Sequence, residues 1–147
     1  MQPRVKRRDG EAVRRATRGW PGVSLPRTIP GVGPRTAEAV VAYVDDPDRF
    51  VRNKSIGCYF GLAPCEDTSV KRRLGHITHE GPPTVRRLVV EACWQAVRRD
   101  AGLKAYFERI RGDKKDRKKI ALVATAHHLL RVMLAMPRTG EVWRAAA

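Results

Sequence analysis

Residues 28–44, TIPGVGPRTAEAVVAYV, join a glycine-bearing turn to an amphipathic run. Gly31 and Gly33 reach backbone angles closed to other residues and let a ligand approach the main chain. Pro34 suits the first turn of a helix, where its missing N–H would be unpaired anyway. Ala37, Val40, Val41 and Val44 recur three to four apart and make the buried face of a helix over 35–44. Asp45, Asp46, Pro47 and Asp48 end it.

The same periodicity, followed outward, predicts a mostly α fold. A short helix over 52–60 packs Ile56, Tyr59 and Phe60 inward, and GLAP (61–64) is a turn. Residues 65–80 lack a period and read as an extended loop or small hairpin loaded with Lys71, Arg72 and Arg73, so no strand is firmly expected. Gly81-Pro82-Pro83-Thr84 opens a helix running to about Arg99, with Val85, Leu88, Val89, Ala92, Ala96 and Val97 as its apolar stripe. A shorter helix near 101–111 buries Leu103, Tyr106, Phe107 and Ile110. The last, over about 115–136, buries Ile120, Val123, His127, Leu130 and Leu134 and is stopped by Pro137 and Gly140. Residues 1–27 are rich in Arg, Gly and Pro and read as a flexible basic arm, residues 28–143 as one domain, and 144–147 as a tail.

Charge points to the partner. Thirty Lys and Arg face fifteen Asp and Glu in 147 residues, a net charge of +15. Such an excess predicts a polyanion as partner, because each neutralised phosphate releases counterions. The turn before Pro34 supplies a place for one: free N–H groups at the positive end of a helix attract phosphate. The pattern is that of the hairpin in helix-hairpin-helix modules, which hold DNA by its backbone. The first helix of such a module is broken here by Gly19, Pro21, Gly22 and Pro26. On this reading Gly31, Val32, Gly33, Arg35 and Thr36 face DNA, and Gly31→Val or Gly33→Val weakens binding while the helices stay folded. Arg86 and Arg87 lie off the apolar stripe of their helix and join the basic surface. Lys118 and Lys119 stand at a helix N-terminus, where cations oppose the dipole and a phosphate would relieve them; the alternative is a solvated charge run capped by Asp113 and Asp116. No apolar stretch long enough to span a bilayer and no secretory leader are expected, which favours the cytoplasm. Three cysteines, Cys58, Cys65 and Cys93, fit buried thiols in a reducing compartment.

Catalytic chemistry is less legible. Cys65, His76, His79 and Cys93 lack the paired spacing of a structural zinc site, and no metal is assigned. His127 sits on an apolar face, as a packed histidine does. Asp45, Asp46 and Asp48 read as a helix-ending loop rather than a magnesium site. Ser69, followed by Lys71, Arg72 and Arg73, has the cations that attack on a phosphodiester requires. Thr78 is a second hydroxyl in the same segment. For either, a hydroxyl bonded only to its own backbone is the alternative.

From about residue 28 to residue 143 the chain resembles the C-terminal domain of the insertion-sequence 110/116/902 transposases. The matching words are IPGVGPRTAEAV (29–40), DPDRF (46–50) through YFGLAP (59–64), GHITHEG (75–81), VRRLVVEACWQAVR (85–98) and KKIALVATAHHLLRVMLAMPRTGEVW (118–143). The resemblance implies DNA transposition. It implies a serine that attacks DNA and forms a covalent intermediate, a structured guide RNA, a homo-oligomer, and Mg2+ held by four acids of an N-terminal RuvC-like domain. The family serine follows the Gly-Leu-x-Pro turn and precedes the Gly-x-Ile-Ser/Thr-Lys segment. Ser69 meets both conditions, and Thr78 falls on the Ser/Thr of the second. His79 departs from the usual Lys, Pro82 from a frequent Asn, and Val70 from a small residue. The matching words fall on the C-terminal domain alone, so the RuvC-like domain is expected to be missing and the chain alone to be inactive. The alternatives are a non-catalytic basic nucleic-acid-binding module and a decayed transposase fragment.

Overall fold

Gly33 adopts an extended conformation (φ −82°, ψ 171°) and Pro34 takes the first helical position of α1, Pro34–Val44. The computed structural model describes residues 24–67, 73–77 and 81–145. Ahead of α1, a 3-10 turn over Pro26–Thr28 and a hydrogen bond from Val32 N–H to the Ile29 carbonyl (3.1 Å) fold the chain tightly. Ile29 and Val32 drive that turn into the core, 1% and 5% exposed, alongside Ala37, Val40 and Val44. The apolar spacing thus places α1 as expected, with Val41 half-buried.

The acids after α1 shape the chain. Asp45 turns it with φ +58°. Asp46 Oδ1 accepts from the Asp48 N–H (2.9 Å) and starts the 3-10 turn Pro47–Arg49. Helix α2, Ser55–Tyr59, is shorter than the predicted 52–60, because Val51 points to solvent at 95% exposure and residues 51–54 form turns. Ile56 and Phe60 are fully buried, as the sequence predicts, and Tyr59 is half-buried between the rings of Phe50 and Phe60. The following segment is a two-stranded antiparallel ribbon, β1 (Pro64–Asp67) with β2 (Arg73–Ile77), in which Pro64 faces Ile77 and Asp67 faces Arg73. Of the two readings of 65–80, the small hairpin is the one found, and the expectation of no strand is corrected. A ribbon this short has no apolar alternation for a sequence pattern to show.

Helix α3 (Pro83–Arg99) and helix α4 (Ala101–Arg111) meet at Asp100. Its buried carboxylate caps α4, with Oδ1 accepting from Leu103 N–H at 2.9 Å, and its Oδ2 accepts from Trp143 Nε1 at 2.8 Å. The Trp143 backbone N–H donates to Thr28 Oγ1 (2.9 Å), so residue 143 ties the end of the domain to both its first turn and the α3–α4 corner. Helix α5 (Lys118–Thr139) packs on α2, α3 and α4.

Three expectations for α5 are corrected. Ile120 is 60% exposed, because the helix enters the core only from Ala121. Beyond that point burial covers a broad arc, Leu122, Thr125, Ala126, Leu129, Leu130, Met133 and Leu134, since neighbours flank it on several sides. Pro137 lies inside the final turn instead of stopping the helix; Gly140, left-handed at φ +70°, ends it, with its N–H on the Met136 carbonyl. Lys115–Thr139 is also long and apolar enough to cross a membrane by length and composition, contrary to expectation, but half of the qualifying window is buried inside the protein. That is how the central helix of a folded core reads.

Cys93 is buried as expected, its Sγ 3.8 Å from the Leu122 carbonyl, and burial pushes its thiol up to about 12. Cys58 is exposed, against the expectation of buried thiols. His127 is the packed histidine foreseen: its Nε2 lies 3.3 Å from the Lys54 carbonyl, and a Cβ on Gly57 would come within 2.2 Å of its ring. Burial, assisted by Arg131, holds His127 below the ordinary histidine range.

Arg138 fastens the loop after α1 to the end of α5. Its guanidinium donates to the Asn53 Oδ1 (2.6 Å), to the Phe50 carbonyl (2.6 Å) and to the Pro47 carbonyl, and pairs with Asp48 at 3.5 Å. Arg138→Ala leaves those acceptors unmatched and is expected to cost about 2 kcal/mol, the scale of charged hydrogen bonds. Chemical denaturation checks this, and Arg138→Lys, which cannot reach the fan of acceptors, should recover little.

Candidate nucleic-acid interface

The N-terminus of α1 is open. No side chain caps it and no acid lies in its first turn. The Ala37 N–H is bonded to the Gly33 carbonyl (3.1 Å), which leaves the N–H groups of Arg35 and Thr36 ahead of the intrahelical ladder. Arg35 is exposed, Thr36 is 7% exposed, and the Val32 side chain anchors the turn from within.

The two glycines differ. Gly31 has φ +92°, and a Cβ there would meet Ala96 N at 2.5 Å and the Gln95 carbonyl carbon at 2.9 Å. It lets the turn lie directly on the backbone of α3. The expectation that Gly31→Val leaves the helices folded is therefore corrected. Gly33 has open space around its Cβ position and an ordinary φ.

Turn, α1 and α3 together bound an open cleft of about 570 Å3. Leu88, Glu91, Ala92, Trp94, Gln95 and Arg98 line it from α3, and Gly31 and Thr36 from the other side; the Trp94 ring also packs against that of Phe107, centroids 6.1 Å apart. Lys118 of α5 lies beside Trp94, its Nζ 5.0 Å from the centre of the ring, a cation–π distance. Leu88, expected in the core stripe, is half-buried at this cleft. Sequence reasoning passed over Trp94. The signal was there: a large aromatic off the apolar stripe, four residues from Arg98.

The basic residues divide by role. Arg86 is half-buried and donates to the Phe60 carbonyl (3.2 Å), so it holds α2 to α3. Arg87, Lys118 and Lys119 are exposed. Arg117 precedes α5, whose N-terminus has no side-chain cap and no acid in its first turn; neither Asp113 nor Asp116 supplies one. Arg73 opens β2. Ser69, Lys71, Arg72 and Thr78 lie outside the described residues, as does His79. Among the described residues no three His, Cys, Asp or Glu side chains converge on a metal position.

Residues 24–108 match the transposase family IS116/IS110/IS902. The chain is 31% identical over 122 residues to a Sinorhizobium fredii protein named as a transposase (y4pF/y4sB), covering 80% of this chain and 32% of that one. It is 28% identical over 119 residues to the 43.6 kDa protein of insertion element IS110 from Streptomyces coelicolor, covering 80% of this chain and 29% of that one. The chain therefore spans about a third of the length of these relatives.

Proposed function

The chain belongs to the IS116/IS110/IS902 transposase family, and from that membership we propose that it is the DNA-binding, serine-bearing part of an insertion-sequence transposase. The family match is the observation that carries this reading, and the charge of +15 supports it. DNA is held by its phosphates. The open N-terminus of α1 with Gly33, Arg35 and Thr36, the exposed Arg87, and Lys118 and Lys119 at the start of α5 supply the contacts. The turn of 29–33 plays the part of a helix-hairpin-helix hairpin. Arg86 serves by positioning α3, and Lys71, Arg72 and Arg73 add charge beside the nucleophile.

Ser69 is that nucleophile, with Thr78 as second choice. Attack by its Oγ forms a phosphorus–oxygen bond to the protein and breaks one to a deoxyribose oxygen. The serine gives up its proton and the leaving oxygen gains one. A structured guide RNA, a homo-oligomer and a cytoplasmic setting belong to the same proposal, as does a separate acid-bearing domain that completes strand exchange.

Binding is tested first, by salt titration with a short duplex. Affinity should fall steeply from low to physiological salt, as several phosphate contacts require. Replacing Arg35, Arg87 and Lys119 together by alanine should flatten the log–log salt slope by about 3, roughly one for each lost contact. A wild-type chain that binds no DNA at low salt overturns the proposal.

A further inference from the structure

We propose that the cleft between the 29–33 turn, α1 and α3 is a site for one unpaired nucleotide, its base lying against Trp94 and its phosphate met by Arg98 and Lys118. The inference rests on the nucleic-acid binding proposed above and adds to it a place where a strand is held out of the duplex. The cleft, at about 570 Å3, lies in the range of roughly 300–1,000 Å3 that takes a small organic ligand. Its lining is that of a base-and-phosphate pocket. Trp94 gives a π surface, and Leu88 and Ala92 give apolar walls. Glu91 accepts and Gln95 both donates and accepts hydrogen bonds, which suits the edge of a base. Arg98 and Lys118 bring positive charge.

Thr36, 7% exposed, lines the cleft from α1 and brings a hydroxyl that can donate to or accept from a ligand. Lys118 over the Trp94 ring is poised similarly: an arriving base takes over the aromatic contact and frees the ammonium for the phosphate.

Short single-stranded DNA and RNA carrying one 5-iodouracil, and the matching DNA duplex, are the probes. Under long-wavelength light the single strands should crosslink to Trp94, located by mass spectrometry of the digested protein. Trp94→Leu should lower the ratio of single-strand to duplex affinity about tenfold, the usual effect of losing one stacked base. Trp94→Phe, which keeps a ring, should recover most of it, and Thr36→Val should lower the same ratio without touching the ring. The DNA and RNA arms tell which strand the site prefers. Crosslinks only at other residues, or an unchanged ratio in folded Trp94→Leu and Thr36→Val, overturn the inference while leaving duplex binding in place. A wild-type chain that binds neither single strands nor duplex overturns this inference and the proposed function together.

Discussion

Ser69→Ala is expected to abolish covalent protein–DNA adducts when the chain is assembled with the acid-bearing domain and guide RNA that the family reading calls for. A serine hydroxyl is a weak nucleophile at its ordinary pKa, so its attack depends on a neighbouring base and on cations that take up charge developing on the phosphate. Lys71, Arg72 and Arg73 follow Ser69 within four residues, and alanine at any of them should slow adduct formation without eliminating it. Thr78→Ala should reduce adducts less than Ser69→Ala. Denaturing gels of labelled DNA, followed by mapping of the modified peptide, read the outcome. Adducts on Thr78, or adducts undiminished in Ser69→Ala, place the nucleophile elsewhere.

Gly31→Val is expected to unfold the domain or to cost at least about 3 kcal/mol. Two penalties combine. A β-branched residue at φ +92° is strained by roughly 1–3 kcal/mol. Its Cβ would also lie 2.5 Å from Ala96 N and 2.9 Å from the Gln95 carbonyl carbon, backbone atoms of a helix that cannot swing aside. Gly31→Ala should lose nearly as much, since the Cβ alone makes the clash. Gly33→Ala is the control, with no heavy atom within 4 Å of its Cβ position and φ −82°; its stability should stay within about 0.5 kcal/mol of the parent. Urea denaturation of the three variants decides the matter, and a stable Gly31→Val would mean that the turn does not lie on α3. Gly33→Ala is accordingly the variant with which to probe backbone contact with DNA, because it alters the turn without dismantling it.

The helices and the excess of basic charge were legible in the residues themselves. Period and punctuation act locally: Pro34 and Pro83 each start a helix, and Gly140 ends one. The family could be read from ordered words of sequence, of which IPGVGPRTAEAV and GHITHEG are two. Where contacts between distant residues decide, the sequence was silent or misleading. Gly31 looked like an opening for a ligand, and only the packing of its turn on Gln95 and Ala96 shows that the space is taken. Nothing in the local sequence marks Arg138, yet it gathers acceptors from a loop some 90 residues earlier. Arg86 looked like Arg87, one position on, but the turn of α3 aims the first at Phe60 and the second at solvent. Trp94 stood off an apolar stripe with nothing beside it to give it meaning until α1 and Lys118 were brought to its side. Periodicity reports which face of a helix is apolar, whereas the neighbour that meets each face is set by how the helices pack.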